Sequence, residues 1–322
     1  MKISVIIVSW NVKRYLVDCL NSLQQYPPSH KYEIIVVDNN SIDGTSDLVK
    51  EKFPYINFIK NEQNLGFAAA NNRGIKVAKG LYIFLLNPDT IVHKGAVDRL
   101  IGFMDDNPDV GACGPKLLNA DGTTQGSVRQ FPTFRAALYR HTIFKVLLIF
   151  RKQQHRYMMR HFSYDRQMDV DQVTGAAFMT RKSIVDQIGA MDEQFFMYYE
   201  EVDFCYRVNK AGYRIVFTPT AAITHFGGQS SGQIPIENRM MLVKSMLMFF
   251  RKHRGRFVTG LFNVLFKPAV ILRDINNIAV GCLMCVLATL LANQRRRLKA
   301  VTKIKRSSVW LGKYSWLLLF KM

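Results

Sequence analysis

The stretch LYIFLLNPDT, residues 81–90, decides the fold, because an apolar run in it ends abruptly at a carboxylate. The run is almost entirely aliphatic and aromatic, which is typical of a strand buried on both faces of a parallel sheet. An Asn-Pro pair ends the strand, and Asp89 follows where an open α/β sheet forms its ligand crevice, beyond the carboxyl ends of the strands. A carboxylate there can hold a divalent cation, although an Asp after Asn-Pro is also an ordinary turn residue. Whether Asp89 binds a cation or is only a turn residue therefore depends on the segments around it.

Three further units of strand and helix precede this stretch. Apolar strands are expected at residues 2–9, 32–38 and 55–60, and a segment with helical character follows each of them. Four such units in a row imply a mostly parallel sheet with helices on its faces. A dinucleotide-binding fold is the obvious alternative, but SWNVKRYL stands after the first strand where a GxGxxG turn would be needed. A dehydrogenase is therefore disfavoured.

Beyond residue 110 the repeat breaks. VGACGPKLL and the turn NADGTT, within residues 110–124, predict strands joined by a hairpin. A basic segment at about residues 131–168 interrupts the domain, and VTGAAFMTRKSI at residues 173–184 resumes it with a strand and a short helix.

A cluster of carboxylates, Glu200, Glu201 and Asp203, lies at the start of a helix that Gly212 ends. Acidic residues in a first helical turn often do no more than complement the helix dipole. Here the aromatic run FFMYY precedes them, so we expect them beside buried surface, where the pKa of a carboxyl can rise. His225 follows a short apolar strand in ITHFGG, a position that suits a structural histidine as well as a ligand.

Charge is distributed unevenly along the 322 residues, whose net charge is +20. Residues 236–322 hold 17 Lys and Arg against 2 Asp and Glu, and residues 131–168 hold 8 against 1. The rest of the chain is close to neutral. Nucleic acid and an anionic membrane surface both attract such basic segments. Because these segments are also rich in Leu, Ile, Phe, Met and Trp, we expect an anionic membrane surface and no nucleic acid as partner.

The length and the apolar fraction of 48% allow one large or two modest domains with a sizeable core. The five cysteines are scattered and odd in number, and a strand-like segment directly follows Lys2 in place of a signal peptide. A reducing, cytoplasmic environment is expected.

Taken together, these stretches resemble family 2 of the glycosyltransferases, the inverting GT-A enzymes, and most closely its rhamnosyltransferase-like branch. The resemblance covers about residues 1–230 and rests on six stretches in the family's order: SVIIVSWNVKRYLVDCLNSL, VVDNNSIDGT, NLGFAAANNRGI, LLNPDT, VTGAAFMTRKSI and FFMYYEEVDFCYRVNKAGYRI. It implies a GT-A domain at residues 1–235, with a Rossmann-like, mostly parallel sheet, flanking helices and the basic insertion. Residues 236–322 would form a basic, amphipathic, membrane-associating helical tail.

The resemblance also implies a site for the donor, a nucleotide diphosphate sugar. Ser9 and Asp38 would contact the base and the ribose. The remaining donor-binding positions would be Asn40, Asn64, Gly66, Asn71 and Asn87.

A metal site and a base are implied in the same way. Residues 87–89, Asn-Pro-Asp, correspond to the family's Asp-x-Asp, so Asp89 would hold Mg²⁺ or Mn²⁺ together with His225. The Asn in first place leaves the site one negative charge short. Glu200-Glu201 stands where the branch has Glu-Asp. Glu201 is the expected general base, with Glu200 as the nearest alternative and Asp203 as a charge that raises the pKa of Glu201.

The implied function is transfer of a sugar, rhamnose in this branch, to a membrane-bound, lipid-linked or other glycan acceptor in cell-surface polysaccharide synthesis. Two alternatives stay open: a polyprenyl-phosphate sugar synthase, and a non-catalytic scaffold that binds sugar nucleotides. A processive synthase is disfavoured, since the sequence lacks QxxRW and several spanning runs. Residues 275–292 are the run nearest to a spanning length, but Asn276 and Asn277 interrupt it. We therefore expect a peripheral or re-entrant attachment at the cytoplasmic face of the membrane.

Overall fold

The computed structural model describes residues 1–321, which fall into two compact units. The first unit comprises residues 1–131 and 159–233, and the second comprises residues 132–158 and those from 234 onward. The basic segment at 131–168 is thus divided between the two units.

All twelve strands lie in the first unit. They are β1 (Ile3–Ser9), β2 (Tyr32–Asp38), β3 (Asn57–Lys60), β4 (Tyr82–Leu86), β5 (Thr90–Val92), β6 (Val110–Leu118), β7 (Thr124–Gln125), β8 (Val128–Arg129), β9 (Met168–Asp169), β10 (Gln172–Val173), β11 (Ala177–Arg181) and β12 (Arg214–His225). The helices are α1 (Lys13–Gln25), α2 (Thr45–Lys52), α3 (Phe67–Val77), α4 (Ala96–Asp106), α5 (Phe134–His141), α6 (Arg151–Tyr157), α7 (Lys182–Ile188), α8 (Glu200–Lys210), α9 (Pro235–Arg254), α10 (Arg256–Leu290) and α11 (Gln294–Phe320).

The main sheet has the strand order β3-β2-β1-β4-β11-β6-β12-β5. Strand β1 runs parallel to β2 and β4, β2 runs parallel to β3, and β6 runs parallel to β12. Only β11 and β5 are reversed along this path. The structure confirms the mostly parallel α/β sheet, and β6 and β7 form the expected hairpin.

The central strands are buried on both faces, as their apolar sequences predict. In β1, Val5 and Ile7 belong to one core cluster and Ile6 to the other, so alternate side chains point into opposite layers. All five residues of β4 are buried. Full burial of such a side chain stabilises the folded state by about 1.5–3 kcal/mol. The residues that follow each strand are therefore held by a well-packed sheet.

The second unit is helical. Phe134 of α5 stacks on Phe262 of α10, and Phe250 of α9 lies on Phe134 at the same centroid distance of 4.5 Å. Helix α10 is long and apolar enough to cross a membrane by length and composition alone. It starts well before residue 275, where the sequence pattern placed the apolar run. The helix continues through the charged residues before that run, and buried Asp274 among them is paired with Arg239 of α9 (Nη2 to Oδ2, 2.6 Å).

Candidate active site

Three strand ends form one edge of the sheet. Ser9 pairs with Asp38 in the parallel register of β1 and β2, and β4, on the other side of β1, ends one residue before Asn87. Ser9 and Asp38 are both fully buried, and burial raises the pKa of Asp38. The Ser9 hydroxyl has no hydrogen-bond partner within the described chain. This edge can therefore offer a free hydroxyl and a carboxylate to a polar ligand.

Asn39, which sequence reasoning passed over, holds the loops at this edge together. Its Nδ2 donates to the Asn64 side-chain oxygen (2.7 Å) and to the Gly66 carbonyl (3.2 Å), and its Oδ1 accepts from the Leu65 amide (3.0 Å). Asn40, which was predicted to contact the sugar donor, is exposed and has a left-handed backbone (φ 65°). Two consecutive asparagines after a strand-ending Asp were the only signal, and the sequence does not tell which of them is buried.

Gly66 brings the start of α3 against the aromatic segment that precedes α8. Its φ is +84°, and a Cβ there would collide with the backbone of Phe196. The neighbouring Phe67 amide donates to the Phe196 carbonyl (2.7 Å). Asn71 is buried, and its side-chain amide donates to the Phe67 carbonyl (2.9 Å) within α3. The loop at Gly66, which was predicted to bind the sugar donor, therefore lies against the segment that leads into the acidic cluster.

Asp89 and His225 meet, although they lie far apart in sequence. The antiparallel register of β12 and β5 pairs His225 with Thr90, the residue after Asp89. His225 Nε2 lies 3.4 Å from Asp89 Oδ1. The Phe226 amide donates to the Asp89 carbonyl (2.9 Å), which locks the two segments together.

The polar atoms around this pair fit a divalent cation. Asn87 Oδ1 is buried without a hydrogen-bond partner in the described chain, and Asn87 Nδ2 lies 3.4 Å from His225 Nε2. Carboxylate, imidazole and amide atoms are ligands that Mn²⁺ accepts. No group of three or more His, Cys, Asp and Glu residues converges on a metal position within residues 1–321. A cation held by Asp89 and His225 would therefore complete its shell with phosphate oxygens of a substrate.

Gln125 orients His225. Its Nε2 donates to the His225 carbonyl (3.0 Å) and to Asn119 Oδ1 (2.9 Å), which leaves its Oε1 to accept from His225 Nδ1 (2.7 Å). A proton held on Nδ1 leaves Nε2 as the free acceptor on the side of Asp89. The sequence carried no signal for Gln125, because the contact depends on the hairpin of β6 and β7 lying beside β12.

Gln125→Leu is expected to weaken Mn²⁺ binding about 10- to 100-fold, as loss of a partner that orients a ligand usually does. Gln125→Glu keeps an acceptor for Nδ1 and should retain most of the affinity. Gln24→Leu, at an exposed position in α1, is the control for the change in polarity. Titration of Mn²⁺, followed by its electron paramagnetic resonance signal, measures binding without turnover. Unchanged affinity in Gln125→Leu would show that Gln125 does not position His225.

The acidic cluster follows a strained turn. Tyr198 and Tyr199 both have positive φ (69° and 70°), and α8 starts directly after them at Glu200. Such conformations cost about 1–3 kcal/mol each for residues other than glycine and persist only where the surroundings impose them. After this turn, both glutamates lie against the body of the protein. Glu200 is 5% exposed, and the Glu201 side chain lies against Gly175.

Glu200 and Glu201 form a buried pair of carboxyls with raised pKa values. Burial raises the pKa of both carboxyls, and the charge of Glu201 raises the pKa of Glu200 further. The hydrogen bond between them stabilises Glu201 as the carboxylate and Glu200 as the acid, and the positive charge of Arg129 also favours ionised Glu201. The pKa of Glu200 is thus raised by both burial and the neighbouring charge, and Glu201 is the member that its surroundings favour as a carboxylate, the form a base needs.

The sequence led us to expect that the charge of Asp203 raises the pKa of Glu201, but in the structure this charge is paired with a cation. It is fully buried and forms an ion pair with Arg207 (Oδ2 to Nε, 2.8 Å). Arg207 in turn donates to the carbonyls of Ile188 and Ala190. With its charge paired in this way, Asp203 anchors α8 to the preceding loop, and burial is the largest cause of the raised pKa of Glu201.

Residue 175 connects the acidic cluster to the sheet edge. A Cβ built on Gly175 would lie 3.7 Å from the Cβ of Glu201, and the next residue, Ala176, accepts a hydrogen bond from the Asn87 amide (2.9 Å). The candidate base thus stands beside the segment that leads to Asp89.

Comparison with known proteins matches residues 4–189 to the model of the family described as glycosyl transferase family 2. The N-acetylglucosaminyl-diphospho-decaprenol L-rhamnosyltransferase of Mycobacterium tuberculosis is 28% identical over 236 residues, covering 69% of this chain and 76% of that protein. The low-salt glycan biosynthesis hexosyltransferase Agl10 of Haloferax volcanii is 29% identical over 188 residues, covering 57% and 55%.

Among solved structures, the mannosyltransferase PcManGT from Pyrobaculum calidifontis, in complex with GDP-Man and Mn²⁺, has a TM-score of 0.55. The likeness covers 96% of this chain and 86% of that chain at 15% identity, so it speaks for the fold alone.

Proposed function

The chain belongs to glycosyl transferase family 2 and is a glycosyltransferase with a GT-A fold, and we propose that it transfers a sugar with inversion to a lipid-linked glycan acceptor at a membrane. The observation that carries the proposal is the arrangement at the sheet edge, where the Asp89 and His225 pair and the candidate base Glu201 adjoin one row of strand ends. The name of the similar M. tuberculosis enzyme supports an acceptor carried on a prenyl diphosphate and rhamnose as the sugar.

In the proposed reaction, the donor lies along the sheet edge. The ribose hydroxyls of the nucleotide donate to Asp38, and the Ser9 hydroxyl, which has no partner in the described chain, contacts the nucleobase. Asp89 and His225 would hold Mg²⁺ or Mn²⁺, which when bound neutralises charge on the diphosphate leaving group.

Glu201 takes the proton from the acceptor hydroxyl, whose oxygen attacks the anomeric carbon from the face opposite the diphosphate. The new carbon–oxygen bond forms as the bond to the diphosphate breaks, so one displacement inverts the anomeric centre. Burial of Glu200 beside the candidate base would help to keep out water that could hydrolyse the sugar donor.

Membrane attachment at the cytoplasmic face is part of the proposal. The second unit exposes large apolar side chains such as Phe257, Val264 and Leu290 along α10. The buried Asp274 ion pair near the middle of the helix suits an in-plane or re-entrant position better than a span through hydrocarbon, where charged groups are costly. Basic residues flank the apolar part on both sides, so charge provides no orientation for a span.

The test is a transfer assay with the full-length protein, nucleotide sugars and a prenyl-diphosphate glycan acceptor in detergent, with either Mg²⁺ or Mn²⁺. A thermal-shift screen selects the donor first, since a ligand present at 100 times its Kd stabilises the folded state by about 2.7 kcal/mol. We expect release of the nucleoside diphosphate that depends on the glycan acceptor. Transfer to a bare polyprenyl phosphate would indicate a synthase instead, and donor binding without transfer to any acceptor would indicate a non-catalytic protein.

A further inference from the structure

The second unit contains a basic cavity of about 590 Å³ among α9, α10 and α11. Five basic side chains line it: Arg239, Arg273, Lys299, Lys303 and Arg306. Asp274 is the acidic residue among the lining side chains. The cavity thus has a marked excess of positive charge, and neither the donor site nor the candidate base uses it.

The one carboxylate in the lining is already satisfied. Both oxygens of Asp274 accept from the Arg239 guanidinium (2.8 and 2.6 Å). The other four basic residues have no carboxylate partner within residues 1–321. The hydrogen bond that Arg273 makes is to the backbone carbonyl of Arg140 (3.3 Å). Four cations therefore face one cavity without a counterion from the protein.

Trp310 lines the same cavity and carries an unsatisfied donor. It is 1% exposed and lines the cavity, and its indole Nε1–H is buried without an acceptor in the described chain. The guanidinium of Arg239 lies 4.1 Å from the centre of its ring, which fixes the ring in place. A buried donor left unpaired destabilises the folded chain. An anion with several acceptor oxygens would satisfy the indole and the four cations together.

Exposed apolar side chains lie at or next to residues that line the cavity. Leu298 lines the cavity and is 68% exposed, and Leu272, Ile275 and Val301 of the adjoining helices are also exposed. A soluble phosphate compound has no use for such a rim, whereas the acyl or prenyl chains of a lipid would cover it.

A buried histidine reports the same positive field. The pKa of His141 lies well below its usual range, because burial and then the charges of Arg140, Arg273 and Arg239 disfavour the imidazolium. The histidine therefore adds no positive charge of its own, and its lowered pKa reflects the excess of cations nearby.

We infer that this cavity binds the phosphate or diphosphate headgroup of an acidic membrane lipid. The phosphate oxygens accept from the Trp310 indole and pair with Arg273, Lys299, Lys303 and Arg306. The lipid chains lie over the apolar rim. This inference concerns attachment of the second unit and does not depend on the proposed glycosyl transfer.

Two triple variants of the full-length protein test the inference. Lys299→Gln/Lys303→Gln/Arg306→Gln removes three charges that line the cavity. Arg295→Gln/Arg297→Gln/Lys305→Gln removes three charges from exposed positions of the same helix that do not line it. Sedimentation with phosphatidylcholine vesicles, with and without phosphatidylglycerol, measures the partition coefficient of each protein.

We expect the cavity variant to lose roughly a hundredfold in partitioning to the phosphatidylglycerol vesicles, and the exposed variant about tenfold or less. Partitioning to phosphatidylcholine alone should be the same for all three proteins. Equal losses in the two variants would overturn the inference, because the basic residues would then act as diffuse surface charge.

Trp310→Phe provides a second line of evidence, since it removes the indole donor and leaves every charge in place. It should also weaken binding to the phosphatidylglycerol vesicles severalfold. Inorganic diphosphate, titrated by calorimetry, identifies the source of the phosphate group. If diphosphate binds the wild type but phosphatidylglycerol vesicles do not compete for the site, the ligand is a soluble phosphate compound and the lipid assignment is wrong.

Discussion

Replacing Glu201 by glutamine is expected to lower kcat by about 10²-fold or more while the affinity for the donor stays nearly unchanged. The amide has almost the same shape as the carboxyl but cannot accept the proton of the acceptor hydroxyl. Single-turnover rates with saturating donor, together with donor titration, separate the two quantities.

The pH profile provides an independent readout of the same group. Burial raises the pKa of Glu201, so the wild-type kcat should fall as the pH drops through that raised value, where the carboxylate becomes protonated. This acid limb should be absent from the residual activity of Glu201→Gln.

Glu200→Gln is the matched control, since it makes the same chemical change at the neighbouring position. Its amide can still donate to Glu201, as the protonated Glu200 carboxyl does. We expect a smaller loss that acts mainly through KM. A large kcat loss in Glu200→Gln instead would exchange the two roles. If neither variant lost rate, the acidic cluster would not supply the base.

The second large effect is expected from Asp89→Asn, which should lower metal-dependent transfer by about 10³-fold or more, since a bound cation supplies several kcal/mol of charge stabilisation in the transition state. The substitution removes the one carboxylate of the pair with His225. Asp89 makes only weak side-chain contacts, at 3.4 Å to His225 and 3.5 Å to the Gln229 amide, so the melting temperature should change little.

Asp106→Asn is the control for loss of one negative charge, because Asp106 is exposed at the end of α4. Rates measured across a series of Mn²⁺ and Mg²⁺ concentrations show whether the loss follows the cation. Wild-type activity of Asp89→Asn at limiting metal would mean that Asp89 is only a turn residue.

The α/β sheet could be read from the sequence, because its signals are local. The strands β1, β2 and β4 are apolar on both faces, and a helix directly follows each of β1, β2 and β3. Such patterns survive without knowledge of distant residues. The turn residues between β6 and β7 also predicted the hairpin that these strands form.

Other features depended on residues that are distant in sequence. The sequence did not reveal that Asn39 is the buried asparagine, that Gln125 orients His225, or that Arg207 neutralises Asp203. Each of these contacts joins segments whose approach is set by strand pairing or helix packing. The length of α10 was also missed, since the pairing of its internal Asp274 with Arg239 of another helix could not be seen in the sequence.

The sequence by itself determined which chemical groups stand at the ends of the strands, because a strand that is buried on both faces is mostly apolar up to its end and the polar residues gather at or just after its last residue. Only the tertiary structure decided which of those groups meet. His225 reaches Asp89 through the antiparallel register of β12 and β5, and the pKa of Glu200 rises because burial and the charge of Glu201 act on it. Register and burial are properties of the packed chain, since they arise from contacts between segments that are remote in the sequence.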